Sequence, residues 1–275
     1  MNIIVYKGDC ERIIDKEIKG SLDLTFLDPP FNQNKNYYNH NDNMLQEDYW
    51  AWITGISKLI FNKTKKGGAI YFMQREKNAE QVLKALRESG WTFQNLIIWK
   101  KMTSAVPQRY RYGKQFQIIA FATKGTRPRT FHRLRIDAPL QPHMKKPRPN
   151  GLYVTDIWDE VRELTAGYFA GDEALRDKKT NERLHKQQAP ISLLLRLILS
   201  STNIGDTVLD PFSGTGTTNV VAMQLNRNSI AIEKDPNNIN IINNRIQTLR
   251  KSDDITKYRE YYRFTEDLDS IWEVI

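Results

Sequence analysis

Cysteine and histidine are scarce in this chain: its 275 residues include one cysteine, Cys10, and four histidines, His40, His132, His143 and His185. A lone thiol excludes an internal disulfide framework, and histidines so scattered offer no metal-ligand spacing, so no metal is expected. No apolar run approaches the roughly 20 residues that span a bilayer, which argues against a membrane partner. The opening "MNIIVYKGDC" has no basic stretch leading into an apolar one, so a secretory leader is not expected and a reducing, cytoplasmic setting is. Acidic residues are nearly missing from one region. Residues 100–150 hold 13 Lys and Arg against Asp137 alone, a local excess of +12, whereas the whole chain carries +9. Tyr110, Tyr112, Phe116, Phe121 and Phe131 are interleaved with those cations. Charge and rings in that mixture favour a nucleic-acid partner over a merely solvated face.

What is present reads as strands alternating with helices. Strands are predicted at 2–8, 23–28, 68–73, 95–100, 116–123, 207–212 and 229–234. Helices are predicted over 46–62, with Trp50, Ile53, Ile56 and Ile60 facing a core, over 76–89, over 190–202, and from about Gly216. This alternation implies an α/β fold with a mainly parallel sheet. Between about 124 and 185 the regularity stops, and "GTRPRTFHRLRIDAPLQPHMKKPRPNG" contains five prolines. The stretch is too long for an ordinary connection and reads as an inserted recognition region. Expected divisions are 1–123, 124–182, 183–250 and a tail at 251–275, which could pack on the body or sit at a subunit contact.

Two strand ends carry the chemistry. The first buried strand runs into Asp28-Pro29-Pro30-Phe31, then a loop with six asparagines between Asn32 and Asn43. Two prolines end the strand and stiffen the turn, which places a carboxylate and a ring at its mouth. The Asn-rich loop reads either as a flap over a ligand or as a mobile connection. The second strand end is "DTVLDPFSGTGTT", residues 206–218, where Gly214 and Gly216 let the backbone turn tightly and approach a ligand. Asn219 stands where a dinucleotide fingerprint has its third glycine, and no Lys-Ser/Thr pair follows, so neither NAD, FAD nor a P-loop nucleotide is favoured. Glu233 ends the next strand, 17 residues past Gly216, where an acid accepts from ribose hydroxyls. An adenosine-containing ligand without pyrophosphate fits, and S-adenosylmethionine meets that description. Asp9 could accept from its adenine amine.

Together, "DPPF" at 28–31 and "DPFSGTGTT" at 210–218 resemble the catalytic [DNS]-P-P-[YFW] and cofactor F-x-G-x-G-T-T motifs of the amino DNA methyltransferases. These enzymes methylate the exocyclic nitrogen of adenine or cytosine. The order, catalytic motif, basic variable region, then cofactor motif, is similar to their β group. The resemblance covers roughly residues 3–123 and 183–240. It implies a circularly permuted, Rossmann-like methyltransferase sheet of seven strands with a reversed strand at one edge, and a target-recognition insertion. It implies Asp28, Pro29, Pro30 and Phe31 as the catalytic set, with Phe31 stacking on an extruded base. For the cofactor it implies Asp9, Cys10, Asp28, Asp210, Phe212 and Ser213, together with Gly214, Gly216, Thr217, Glu233 and Lys234. His185 and Gln188 join them from "HKQQAP", although only His185, Gln188 and Pro190 match the family's His-Pro-Thr-Gln-Lys-Pro element.

Double-stranded DNA is the implied partner, with Lys101, Arg109, Arg111, Lys114, Lys145, Lys146 and Arg148 as candidate contacts. A homodimer and a cognate restriction endonuclease fit the resemblance as further partners. An aspartate in the first motif position favours adenine N6 over cytosine N4. An RNA or protein-amide methyltransferase fits the order less well, and a DNA-recognition protein that binds cofactor without catalysis is the reading of a different class.

Overall fold

The computed structural model describes residues 1–37, 40–103, 105–138, 149–164, 171–177, 179–184 and 188–273. In chain order its strands are β1 (Ile3–Lys7), β2 (Leu22–Leu27), β3 (Asn36–Tyr37), β4 (His40–Asn41), β5 (Thr64–Arg75), β6 (Thr92–Lys100), β7 (Phe116–Thr123), β8 (Arg135–Ile136), β9 (Leu152–Tyr153), β10 (Ile157–Trp158), β11 (Thr207–Asp210) and β12 (Asn228–Glu233). Its helices are α1 (Cys10–Lys16), α2 (Gln46–Lys63), α3 (Ala79–Glu88), α4 (Ile191–Ser201), α5 (Thr217–Gln224), α6 (Pro236–Gln247) and α7 (Leu268–Ile271).

Eight strands form one sheet in the order β1-β12-β11-β2-β5-β7-β6-β10. Its first five strands run parallel, and β7 is antiparallel to both neighbours. The α/β expectation holds, with two corrections to its detail. The reversed strand β7 is not at an edge but between β5 and β6, pairing with both, and the two-residue β10 of the insertion pairs in parallel with the outer side of β6. That same strand raises the count from the seven implied by the resemblance to eight.

Helices cover both faces. On one face Ile13 and Ile14 of α1, Ile53, Ile56 and Ile60 of α2, and Val82 and Leu86 of α3 pack on Leu27, Ile70 and Phe72. Tyr49 is the buried aromatic of α2, and Trp50 is only half-buried. On the other face α4, apolar almost all round as a fully buried helix must be, packs with Leu24, Phe26 and Tyr71. Two helix starts are set by side chains: Asp9 accepts from the Glu11 and Arg12 amides, and Asp235 accepts from Asn237 with Pro236 in the first turn.

Described residues of the 124–182 segment contribute to the core. Leu134, Ile136, Trp158 and Val161 belong to the main core. The tail packs against the body as well: the fully buried Arg227 donates to Ile271 O at 2.7 Å and Thr202 O at 2.9 Å, and Trp272 is buried. No helix among the described residues is long and apolar enough to cross a membrane.

β2 and β11 are direct neighbours, pairing Leu24 with Val208 and Thr25 with Leu209. From β2 the chain passes through α2 to β5 on one side, and from β11 through α5 to β12 on the other. The crevice beyond the carboxyl ends of two such strands is where open α/β sheets bind ligands.

Candidate active site

Both motif-bearing turns open on one cavity of about 620 Å³, lined by Asp28, Pro29 and Pro30 from the first and by Asp210 through Thr215 from the second. Cys10, Thr217, Glu233, Lys234 and Gln188 also face it. Residues 182 positions apart in sequence are thus brought together at the switch point, as Asp28 and Asp210 demonstrate.

The first turn is held from behind. Tyr49 donates its hydroxyl to Pro30 O at 2.8 Å, and Gln74 donates to that same hydroxyl at 2.9 Å. Asp28 itself receives no hydrogen bond from the described residues. Burial pushes its carboxyl well above the usual range, the neighbouring Asp210 pushes it further, and Lys101 and Lys35 oppose the shift. Phe31 departs from its expected role as a stacking face. It is 5% exposed and packs into the core with Phe26, Tyr71 and Trp99. Phe212 and Trp52 instead present rings to the cavity, edge to face at 5.7 Å, with His40 5.2 Å from Trp52.

The second turn closes on itself. Gly214 and Gly216 have φ of 50° and 76°, the left-handed region that other residues avoid. Ser213 donates to Asp210 O at 2.7 Å while its oxygen accepts from Ile232 N at 3.1 Å, tying β11 to β12. The Asp210 carboxylate accepts from Thr218 Oγ1 and from Phe212 N. Burial nevertheless raises Asp210 to about 7. Glu233 is also raised by burial; one of its oxygens accepts from the amides of Lys234 and Asp235, both at 2.8 Å.

Several predicted residues turn out to be engaged elsewhere. The Asp9 carboxylate caps α1 and pairs with Lys234 Nζ at 2.7 Å. Gln188 accepts from Leu175 N and donates to Glu173 O, so its amide clamps the preceding loop. His185 lies outside the described residues, as do Lys145, Lys146 and Arg148. Of the other candidate DNA contacts, Arg109 and Arg111 stand on the exposed β6–β7 connection beside Tyr110 and Tyr112, whose exposures are 83% and 98%. Lys114 pairs with Glu76 at 2.8 Å, and Lys101 turns inward, its ammonium 4.6 Å from the centre of the Trp99 ring.

The Asn-rich loop is tied down where it is described. Buried Asp42 accepts from the amides of Asn32, Gln33 and Lys35 at 2.8–3.0 Å, and Asn32 exchanges two hydrogen bonds with the Met44 backbone. That fold-back points Lys35 and His40 into the cavity. Neither they nor Trp52, Tyr49 or Arg183 are marked by a sequence motif. Asp42, an acid closing an asparagine run, is the nearest thing to a signal.

The profile of the DNA methylase family that comprises N6 and N4 methyltransferases matches residues 22–244. The chain belongs to that family. It is 29% identical over 245 residues to the DNA adenine methyltransferase YhdJ of Escherichia coli K12, across 83% of this chain and 77% of that protein. Its fold is similar to that of a DNA modification methylase of Thermus thermophilus, TTHA0409, solved with S-adenosyl-L-methionine (TM-score 0.60, 19% identity, 95% of this chain and 96% of that one). It is likewise similar to the cytosine-N4-specific PvuII DNA methyltransferase, at TM-score 0.66 and 18% identity, over 98% of this chain and 94% of that one.

Proposed function

We propose that this DNA methylase transfers a methyl group from S-adenosylmethionine to the N6 amine of an adenine extruded from a specific DNA sequence. What carries the reading is the cavity both turns share: an open, rigidly backed Asp-Pro-Pro turn on β2 faces the glycine turn and Glu233 across the crevice. The residues suit the cofactor. A volume of about 620 Å³ lies within the usual range for small-molecule sites. The buried acids Asp28 and Asp210 favour a cationic ligand. The lining acid Glu233 would accept from a ribose, and the rings of Phe212 and Trp52 would pack on a purine.

Bound there, S-adenosylmethionine supplies an electrophilic methyl group on a sulfonium. The chain's own residues prepare the nucleophile. An exocyclic amine has its lone pair delocalised into the ring, and flipping the base out costs a few kcal/mol. Asp28 and the Pro29 carbonyl can each accept one amine hydrogen, which draws the nitrogen towards tetrahedral geometry and frees its lone pair. The Tyr49–Pro30 bond holds those acceptors before the reaction begins, so little reorganisation is required. After attack the methylated amine must shed a proton. Burial raises the basicity of Asp28 and suits it to receive that proton. Arg109 and Arg111, beside exposed tyrosines, would contact phosphate or bases in this reading. Assembly as a homodimer and pairing with a restriction endonuclease belong to the same reading.

The test is to incubate the purified protein with unmethylated DNA and isotopically labelled S-adenosylmethionine and to analyse the digested nucleosides by mass spectrometry. Labelled N6-methyladenine is expected. Labelled N4-methylcytosine would retain the chemistry and overturn the base; unlabelled DNA with a cofactor-binding protein would support the non-catalytic reading.

A further inference from the structure

We infer that Arg183 binds the α-carboxylate at the amino-acid end of the cofactor, an inference that rests on the S-adenosylmethionine reading above. Arg183 lines the same cavity as Asp28, Gly214 and Glu233. Its Nε and Nη2 are buried, and neither has a hydrogen-bond partner. Leaving buried donors of a cation unpaired is costly, so such a group marks a place where an acceptor arrives from outside the chain. The backbone around it is fixed: Arg183 bridges to Arg176, and Leu184 N donates to Leu175 O at 2.9 Å.

Of the other cations facing the cavity, Lys234 pairs with Asp9, and Lys35 feels the charges of Asp42 and Asp28. The charged neighbour that acts on Arg183 is Arg176, a like charge. An anion is therefore wanted beside Arg183, in a cavity whose lining otherwise carries the acids Asp28, Asp210, Glu233 and Asp235. The cofactor has that polarity: a sulfonium in the middle and a carboxylate at one end. A planar guanidinium meets a carboxylate through two parallel bonds. Gln188, whose amide is consumed by the backbone at Glu173 and Leu175, leaves that role open, and Ala189 stands where the family's element carries lysine. A DNA phosphate has related chemistry, but the burial of Nε and Nη2 favours a small ligand inside the cavity.

Calorimetry without DNA separates these sources. S-Adenosylhomocysteine is compared with its decarboxylated analogue, S-adenosyl-3-thiopropylamine, which keeps the ammonium. The wild-type chain is expected to prefer the carboxylate ligand by about tenfold to hundredfold. Arg183→Met should erase that preference while leaving affinity for the analogue unchanged, and Arg183→Lys should restore part of it. Thermal unfolding of the unliganded variants should match or exceed that of the wild type, since no internal bond is lost. A preference that persists in Arg183→Met, equal weakening of both ligands, or weakened duplex binding with the preference intact would overturn the assignment. Failure of the wild-type chain to bind either ligand would overturn the cofactor reading instead.

Discussion

Two Asp-Pro turns end two adjacent parallel strands, and they are built in opposite ways. The turn after β2 is stiffened by a second proline and braced from outside by Tyr49 and Gln74, which leaves the Asp28 carboxylate without a donor among the described residues. The turn after β11 is made flexible by glycines and then locked from within, with Asp210 accepting from Thr218 and Phe212 and Ser213 bridging to β12. One dipeptide thus serves two purposes. Where the carboxylate is spent on its own turn it shapes a ligand-binding loop; where other groups support the turn, the carboxylate remains free for a substrate.

The division can be attacked first at the glycine turn, where the largest effect is expected. A Cβ on Gly216 would lie 2.8 Å from Ile242 Cγ1, at a φ of 76°. Gly216→Val should cost roughly 2–5 kcal/mol of stability in denaturant unfolding and abolish cofactor binding. The corresponding lesion of the β2 turn should spare binding.

The next effect is in pH. Asp210 is raised from its ordinary 3.8 to about 7, and burial also raises Asp28 and Glu233. An acid whose folded pKa is raised binds more protons folded than unfolded. Its stabilising contribution is complete below the ordinary value and is lost as pH rises through the folded one. The unliganded protein should therefore lose stability as pH climbs from about 4 to 7, and Asp210→Asn should flatten part of that slope. Affinity for a sulfonium ligand should move the other way, tightening as pH passes about 7, because the ionised acid attracts the cation. Titrating the unfolding temperature and the affinity for S-adenosylmethionine across that range checks both signs.

The smallest effect is expected from Tyr49→Phe. It removes the hydrogen bond to Pro30 O and the one accepted from Gln74, together worth about 2 kcal/mol, and should slow methyl transfer several-fold at unchanged cofactor affinity. A matching loss of cofactor affinity would mean that the bracing serves both turns.

Much of this was legible in the sequence, because strand patterning and turn chemistry are local. The alternation through Leu22–Leu27, the prolines at 29 and 30, the glycines at 214 and 216 and the acid at 233 mark both strand ends and their ligands. The short helix α1 escaped notice, since its seven residues are too few to show a period. Helix α6 was hidden by its asparagines, which are poor helix formers; only the Asp235-Pro236 cap announced it. Direction was the other blind spot. After two prolines nothing local tells whether Phe31 faces the cavity or the core, and it faces the core. Partners distant in sequence, such as Gln74 with Tyr49 or Asp9 with Lys234, depend on which strands become neighbours.

The division of labour is tested most directly by measuring single-turnover methyl transfer and S-adenosylhomocysteine affinity on the same preparation of Asp28→Ala. Transfer is expected to fall by about a hundredfold to a thousandfold or more, with affinity changed by no more than about threefold. Parallel loss of both would contradict it, because Asp28 would then be a support of the cofactor site rather than the acceptor reserved for the target base.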